Sequence, residues 1–283
     1  MKKIKLDDIE KKWHDATIQN NFIFGKTLEI NPELCKELLE MILKIKITRI
    51  DYPEREKIIE NRTDSKGIRL DVYVEDKNFN RSFDVEMQIS DTDNIAKRMR
   101  YYQSLIDGDK LKHGEHYNIL GESYIIFICP FDKFKKGRHI YTFCNRCDEE
   151  PDLMLNDGAF KIFLSTKGTV NDVSDKVKNF LNYVDKGIAN DSFTKKLDDA
   201  VKSVKSNEKA RKTFMTFEMY MKEREMEGEA RGREEGREEG KEHATLKNLK
   251  SVMNVLQVPV EKAMEILNIP EQKKSYYLSK LNV

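Results

Sequence analysis

The strongest constraint on the fold lies in residues 68–89, IRLDVYVEDKNFNRSFDVEMQI, preceded by Gly67. Two runs of alternating residues flank a short polar stretch, the pattern of a β-hairpin. In the first run Leu70, Val72 and Val74 fall on one face, with Arg69, Asp71, Tyr73 and Glu75 on the other. In the second, Phe83, Val85, Met87 and Ile89 alternate with Asp84, Glu86 and Gln88. The turn Lys77-Asn78-Phe79-Asn80 suits a loop of about four residues. A hairpin centred there sets Asp71 directly opposite Glu86.

Opposed residues on adjacent strands have Cβ atoms about 4.5–5.5 Å apart. Two carboxylates that close resist joint ionisation unless a positive charge lies between them. A divalent cation would supply it, and Mg²⁺ favours one or two carboxylates completed by water and phosphate oxygens. The competing reading is that these acids are the solvated face of an antiparallel sheet.

The longer run RLDVYVED, FDVEMQ and KRMRYYQSLID, followed by a spaced leucine, glycine and tyrosine, resembles the PD-(D/E)XK nucleases. Within them it is similar to the Rpn family of recombination-promoting nucleases, also described as transposases. The resemblance covers most of the first two-thirds of the chain. It implies an α/β fold with a mixed sheet: a restriction-endonuclease-like α-β-β-β-α-β core, extra strands and a helical C-terminal tail. It also implies a metal-dependent DNA endonuclease in which Asp71, Glu86 and the backbone carbonyl of Met87 hold Mg²⁺ or Mn²⁺. Gln88 occupies the position where the pattern usually has lysine. An amide can orient water but cannot carry charge, so Arg98 is the candidate for the missing positive group. The first helix of such folds often lends an acid, and Glu40 is the candidate. Leu70 stands where the pattern has proline.

The remaining elements are read from periodicity. Leu34, Leu38, Met41, Ile42 and Ile45 mark a helix over about 33–45, with Asn31 as N-cap and Pro32 at its start. Residues 13–30, with Trp13, Phe22 and Phe24, read as an entry segment packed on the main domain, and 47–59 as a first strand interrupted by Pro53. Asp91, Thr92 and Asp93 offer N-caps for a helix over 93–107 with the stripe Ile95, Met99, Tyr102 and Ile106. Arg98 lies at the edge of that stripe, where it could snorkel or reach a phosphate; Tyr102 is a lesser candidate beside it. The apolar run 122–130 reads as a central strand covered on both faces. A basic loop, Lys133, Lys135, Lys136 and Arg138, follows it, and 139–145 and 159–165 read as further strands.

From about 172 the pattern becomes helical. Gly228, Gly232, Gly236 and Gly240 recur every fourth residue in EGEARGREEGREEGKEH. Each glycine costs a helix roughly 1 kcal/mol against alanine, and each Glu–Arg pair returns only about 0.2–0.5 kcal/mol. The tract therefore reads as a marginal solvated helix or a spacer; its glycine stripe would also allow a homo-oligomer through the C-terminal helices. Residues 246–283 read as three short helices, a helix-turn-helix module or a small docking piece. The expected domains are 1–190 for the nuclease-like part, 191–245 for the extension and 246–283 for the terminal segment.

Charge and composition narrow the partners. The net charge is only +1 although 36 % of residues are charged, so contact with DNA has to come from a local basic patch. Met1–Lys12 lacks the apolar core of a signal peptide, and the longest apolar run, Tyr124–Cys129, is too short for a bilayer. No membrane partner and a cytoplasmic location are expected. The four cysteines do not suggest a disulfide scaffold. Cys144 and Cys147 form a single CxxC that could be written into a zinc site with Cys129 and His139, but no second CxxC is present. No Walker loop or GxSxG occurs. Two further classes stand beside the nuclease: a binding module on a nuclease scaffold without turnover, and a charged helical scaffold protein.

Overall fold

The computed structural model describes residues 6–48, 50, 54–59 and 68–281. Pro53 lies outside them. The first strand, β1, runs over Glu54–Ile59, and β2 over Ile68–Asp76, β3 over Arg81–Met87, β4 over Glu122–Cys129, β5 over Ile140–Phe143 and β6 over Ala159–Ser165. They form one six-stranded mixed sheet in the order β1-β2-β3-β4-β6-β5. β1, β2 and β3 are an antiparallel meander; β3, β4 and β6 run parallel, and β5 closes the edge antiparallel to β6.

The turn of the central hairpin occupies the four residues anticipated, between Asp76 and Arg81. Asn80 there adopts a left-handed φ of 49°, and its side-chain amide donates to the Ile119 carbonyl. Gly121 passes so close to Asn80 that a Cβ on it would strike the Asn80 carbonyl. A glycine is therefore needed where the chain enters β4.

The N-terminal aromatics pack on the main domain, as expected of the entry segment, but from helices. They lie on two helices, α1 over Leu6–Asp15 and α2 over Asn21–Ile30. Asn20 caps α2 by accepting from the Phe22 and Ile23 amides. Phe22 and Trp13 pack with Phe214, their ring centroids 5.1–6.3 Å apart. α2 is buried almost all round; its apolar residues follow no single stripe, so periodicity alone does not reveal it. α3 covers Pro32–Leu43, with proline in its first turn as expected. Asn31 makes no side-chain cap bond and donates to the Thr27 carbonyl instead.

α4, Ile95–Lys110, begins later than the acidic residues before it suggest. Asn94 holds the cap position, but its side chain caps no helix amide and instead accepts from the Thr92 hydroxyl, while Asp91 is bound by Lys133. The stripe Ile95, Met99, Tyr102 and Ile106 is buried with Leu105 against Tyr73, Ile125, Phe127 and Phe163 of the sheet. α2 contacts β1, β2 and β3 and covers the opposite face, where Phe83, Tyr124 and Phe160 stack across three strands at 5.3 and 4.8 Å. This is the expected α-β-β-β-α-β order with added strands.

α5 (Asp175–Lys186) and α6 (Ser192–Ser206) complete the first compact unit, which ends at Met215. Asp191 and Thr194 form a reciprocal capping box on α6. α7 runs unbroken from Glu208 to Leu256, glycine tract included. A Cβ on any of Gly228, Gly232, Gly236 or Gly240 would meet nothing within 4 Å, so these glycines answer no packing demand within the chain. In the second unit, the end of α7, α8 (Val260–Ile266) and α9 (Glu271–Leu281) enclose a small core of Leu249, Ala263, Met264 and Tyr277. No described helix is long and apolar enough to cross a membrane.

Candidate active site

β2 pairs with β3 only from Val72 opposite Val85 to Asp76 opposite Arg81. Continuing that register by one residue brings Asp71 opposite Glu86, but here the ladder gives way to side chains. The Asp71 amide donates to Glu86 Oε1 at 2.8 Å, and the Met87 amide donates to Asp71 Oδ2 at 3.2 Å. Each carboxylate takes an amide hydrogen that a backbone carbonyl would otherwise accept. The two acids are thus locked to each other's strands where the sheet begins to part.

The face they share is not solvated. Asp71 is 7 % exposed and Glu86 4 %, because α4 covers this side of the sheet. A third acid, Asp84, lies on the same face opposite Tyr73 and beside Ile125, and is 1 % exposed. Both its oxygens are buried without a hydrogen-bond partner. Burial, and then the Asp71 charge, push the Asp84 carboxyl well above the usual range. Burial, and then the charges of Asp71 and Asp84, do the same to Glu86. Raised in this way, both carboxyls favour their neutral forms when no cation is bound. Alternation alone puts Asp84 on this face; the sequence carried no sign that the face would be covered.

The positive group beside the acids is Arg98. Its Nη1 donates to Gln88 Oε1 at 2.7 Å and its Nη2 to the Tyr102 hydroxyl at 3.1 Å. Its guanidinium also lies 5.6 Å from the ring centroids of Tyr102 and Phe127. Burial works against the charge, but the Tyr102 bond and the negative field of Glu86 and Asp71 outweigh it and raise the Arg98 pKa. Burial, and then the Glu86 charge, push the Tyr102 phenol up to about 12. Gln88 is held at both ends, since its amide nitrogen donates to the Ser90 carbonyl at 2.9 Å.

The structure therefore gathers Asp71, Glu86, Met87, Gln88, Arg98 and Tyr102 in one place. Glu40 is engaged differently: its Oε1 accepts from the Ile47 amide at 2.8 Å and shapes the turn after α3. Among the described residues, none of its bonds reaches the acidic group. Cys129 is buried within β4, the His139 ring is taken up by Asp172 and the Val170 carbonyl, and Cys147 contacts Glu149.

A family model for the PD-(D/E)XK nuclease family transposases matches residues 21–243, most of the chain, including every residue just described. The chain belongs to that family. No curated protein and no solved structure matches it. PD-(D/E)XK nucleases typically use divalent metals. Among the described residues no three His, Cys, Asp or Glu side chains are spaced to share one ion. The donors nevertheless fit a hard cation held by few protein ligands: two opposed carboxylates, with a buried and unpartnered third acid behind them, and ample room in such a coordination shell for water and phosphate oxygens.

Proposed function

We propose that this PD-(D/E)XK transposase-family protein is a metal-dependent DNA endonuclease that hydrolyses phosphodiester bonds during the movement or recombination of DNA. Asp71 and Glu86 would hold Mg²⁺ or Mn²⁺, with the backbone carbonyl of Met87 as a further ligand. A cation bound there would polarise the phosphate and lower the pKa of an attacking water. The chain's own residues position and balance charge. The exchanged amide bonds fix the two carboxylates relative to each other, and Arg98 supplies a permanent positive charge beside them. Gln88, gripped by Arg98, orients that guanidinium. The observation that carries the reading is the reciprocal bonding of Asp71 and Glu86 on a buried face under Arg98.

Substituting Asp71→Ala should abolish Mg²⁺-dependent nicking of supercoiled plasmid, and nicking at the wild-type rate by that variant would overturn the assignment. One observation favours a second reading, a DNA- or protein-binding module without turnover. Both polar ends of Gln88 are engaged within the protein, so the group in the usual lysine position supports Arg98 and brings no charge of its own. Titration calorimetry with Mg²⁺ and Mn²⁺ beside a cleavage assay separates the two: DNA binding with no metal uptake and no product supports the module.

A further inference from the structure

We infer that the loop after β4, residues 131–138, is a preformed phosphate-binding site that grips the DNA backbone beside the acidic cluster, with Lys135 and Lys136 as its contacts. The inference rests on the nuclease reading and adds to it where the DNA is held.

The first support is location. β3 and β4 are parallel, so the segment after Gln88 and the loop after Cys129 leave the same end of the sheet. They are tied together there: Lys133 Nζ bonds Asp91 Oδ1 at 2.6 Å and the Thr92 carbonyl at 3.1 Å. Phe134 anchors the loop on the α4 face, its ring 5.1 Å from Phe163, which lies 6.0 Å from Phe127, the ring beneath Arg98. The loop thus shares both the end and the face of the sheet with Asp71, Glu86 and Arg98.

The second support is construction. Asp132 accepts from the amides of Phe134 and Gly137 and from the Tyr141 hydroxyl, the last at 2.7 Å. The Tyr141 oxygen in turn accepts from the amides of Lys136 and Arg138. The Gly137 carbonyl receives the Thr169 and Val170 amides, and Lys135 is held at a left-handed φ of 55°. A loop with this many internal bonds loses little entropy on binding.

The third support is charge. Lys133 is spent on Asp91, and Arg138 lies 3.8 Å from Asp172. Lys135 and Lys136 are exposed, and among the described residues neither has an acidic partner. The carboxylates of the site do nothing to attract a polyanion, and a net charge of +1 offers no general attraction. Exposed cations on a fixed loop at the same end of the sheet answer this need, and a phosphodiester backbone is the partner whose charge they match.

The test is the salt dependence of duplex DNA binding by the full chain, followed by anisotropy of a labelled duplex in EDTA so that no cleavage intervenes. Each phosphate contact contributes about 0.9 to the slope of log K against log salt. The double variant Lys135→Gln, Lys136→Gln should lower that slope by about 1.8, so between about 50 and about 200 mM salt it loses roughly 12-fold less affinity than wild type does. Lys135→Arg with Lys136→Arg should restore the slope, which a mere folding defect would not allow. If wild type nicks plasmid and binds duplex while the Gln variant keeps the full slope, the loop assignment is overturned and the nuclease reading stands. If wild type neither binds nor nicks DNA, both are overturned.

Discussion

The buried acids make a prediction about the metal-free protein whose sign is opposite to ordinary acid denaturation. Asp84 and Glu86 are both pushed upward in the folded state, so above the ordinary carboxylate range near 4 the native protein binds more protons than the unfolded chain. Their stabilising contribution is complete below that range and is lost as pH rises through the raised values. Each proton involved changes stability by about 1.4 kcal/mol per pH unit. The unit that contains the site ends at Met215, a size for which 1 kcal/mol corresponds to about 2–4 °C in Tm. Melting in EDTA should therefore fall by roughly 3–6 °C per pH unit for each proton lost, as pH rises above the ordinary carboxylate range. The isosteric change Asp84→Asn removes one of the acids without changing its size. It should flatten the profile by one proton's worth and raise Tm at the alkaline end. Mg²⁺, replacing the protons, should raise the wild-type Tm most at high pH. Parallel profiles for wild type and Asp84→Asn in EDTA would refute the reasoning, because Asp84 would then carry no titration linked to folding.

Two further outcomes follow from the same packing. Restoring the usual lysine with Gln88→Lys should slow plasmid nicking, because an ammonium would meet Arg98 where the Gln88 oxygen now accepts at 2.7 Å. The loss should be roughly 10- to 150-fold, matching about 1.5–3 kcal/mol for a hydrogen bond to a charged group, and a faster variant would contradict the Arg98 assignment. Gly121→Ala should cost about 1–3 kcal/mol, or roughly 2–12 °C in Tm, by forcing the Asn80 turn away from β4; an unchanged melting curve would show that the turn yields freely.

The hairpin, its turn and its register are legible in the residues alone, because strict alternation on both sides of a four-residue polar stretch admits few other pairings. From that register came the opposition of Asp71 and Glu86. The stripe on α4 likewise placed Arg98 at the edge of a buried surface. Tertiary structure decided what periodicity cannot carry. α2 is buried on most of its surface and shows no single apolar stripe, so only packing against the sheet marks it as a helix. The acidic face was open to two readings until α4 was seen lying over it, and this cover turns Asp84 from a surface residue into a buried acid without a partner. Gln88 looked like a substitute for lysine in positioning water; the fold instead ties it to Arg98 and Ser90. In each case strand geometry set which way a side chain points, while the dielectric around it, and hence its chemistry, depended on what another part of the chain laid on top.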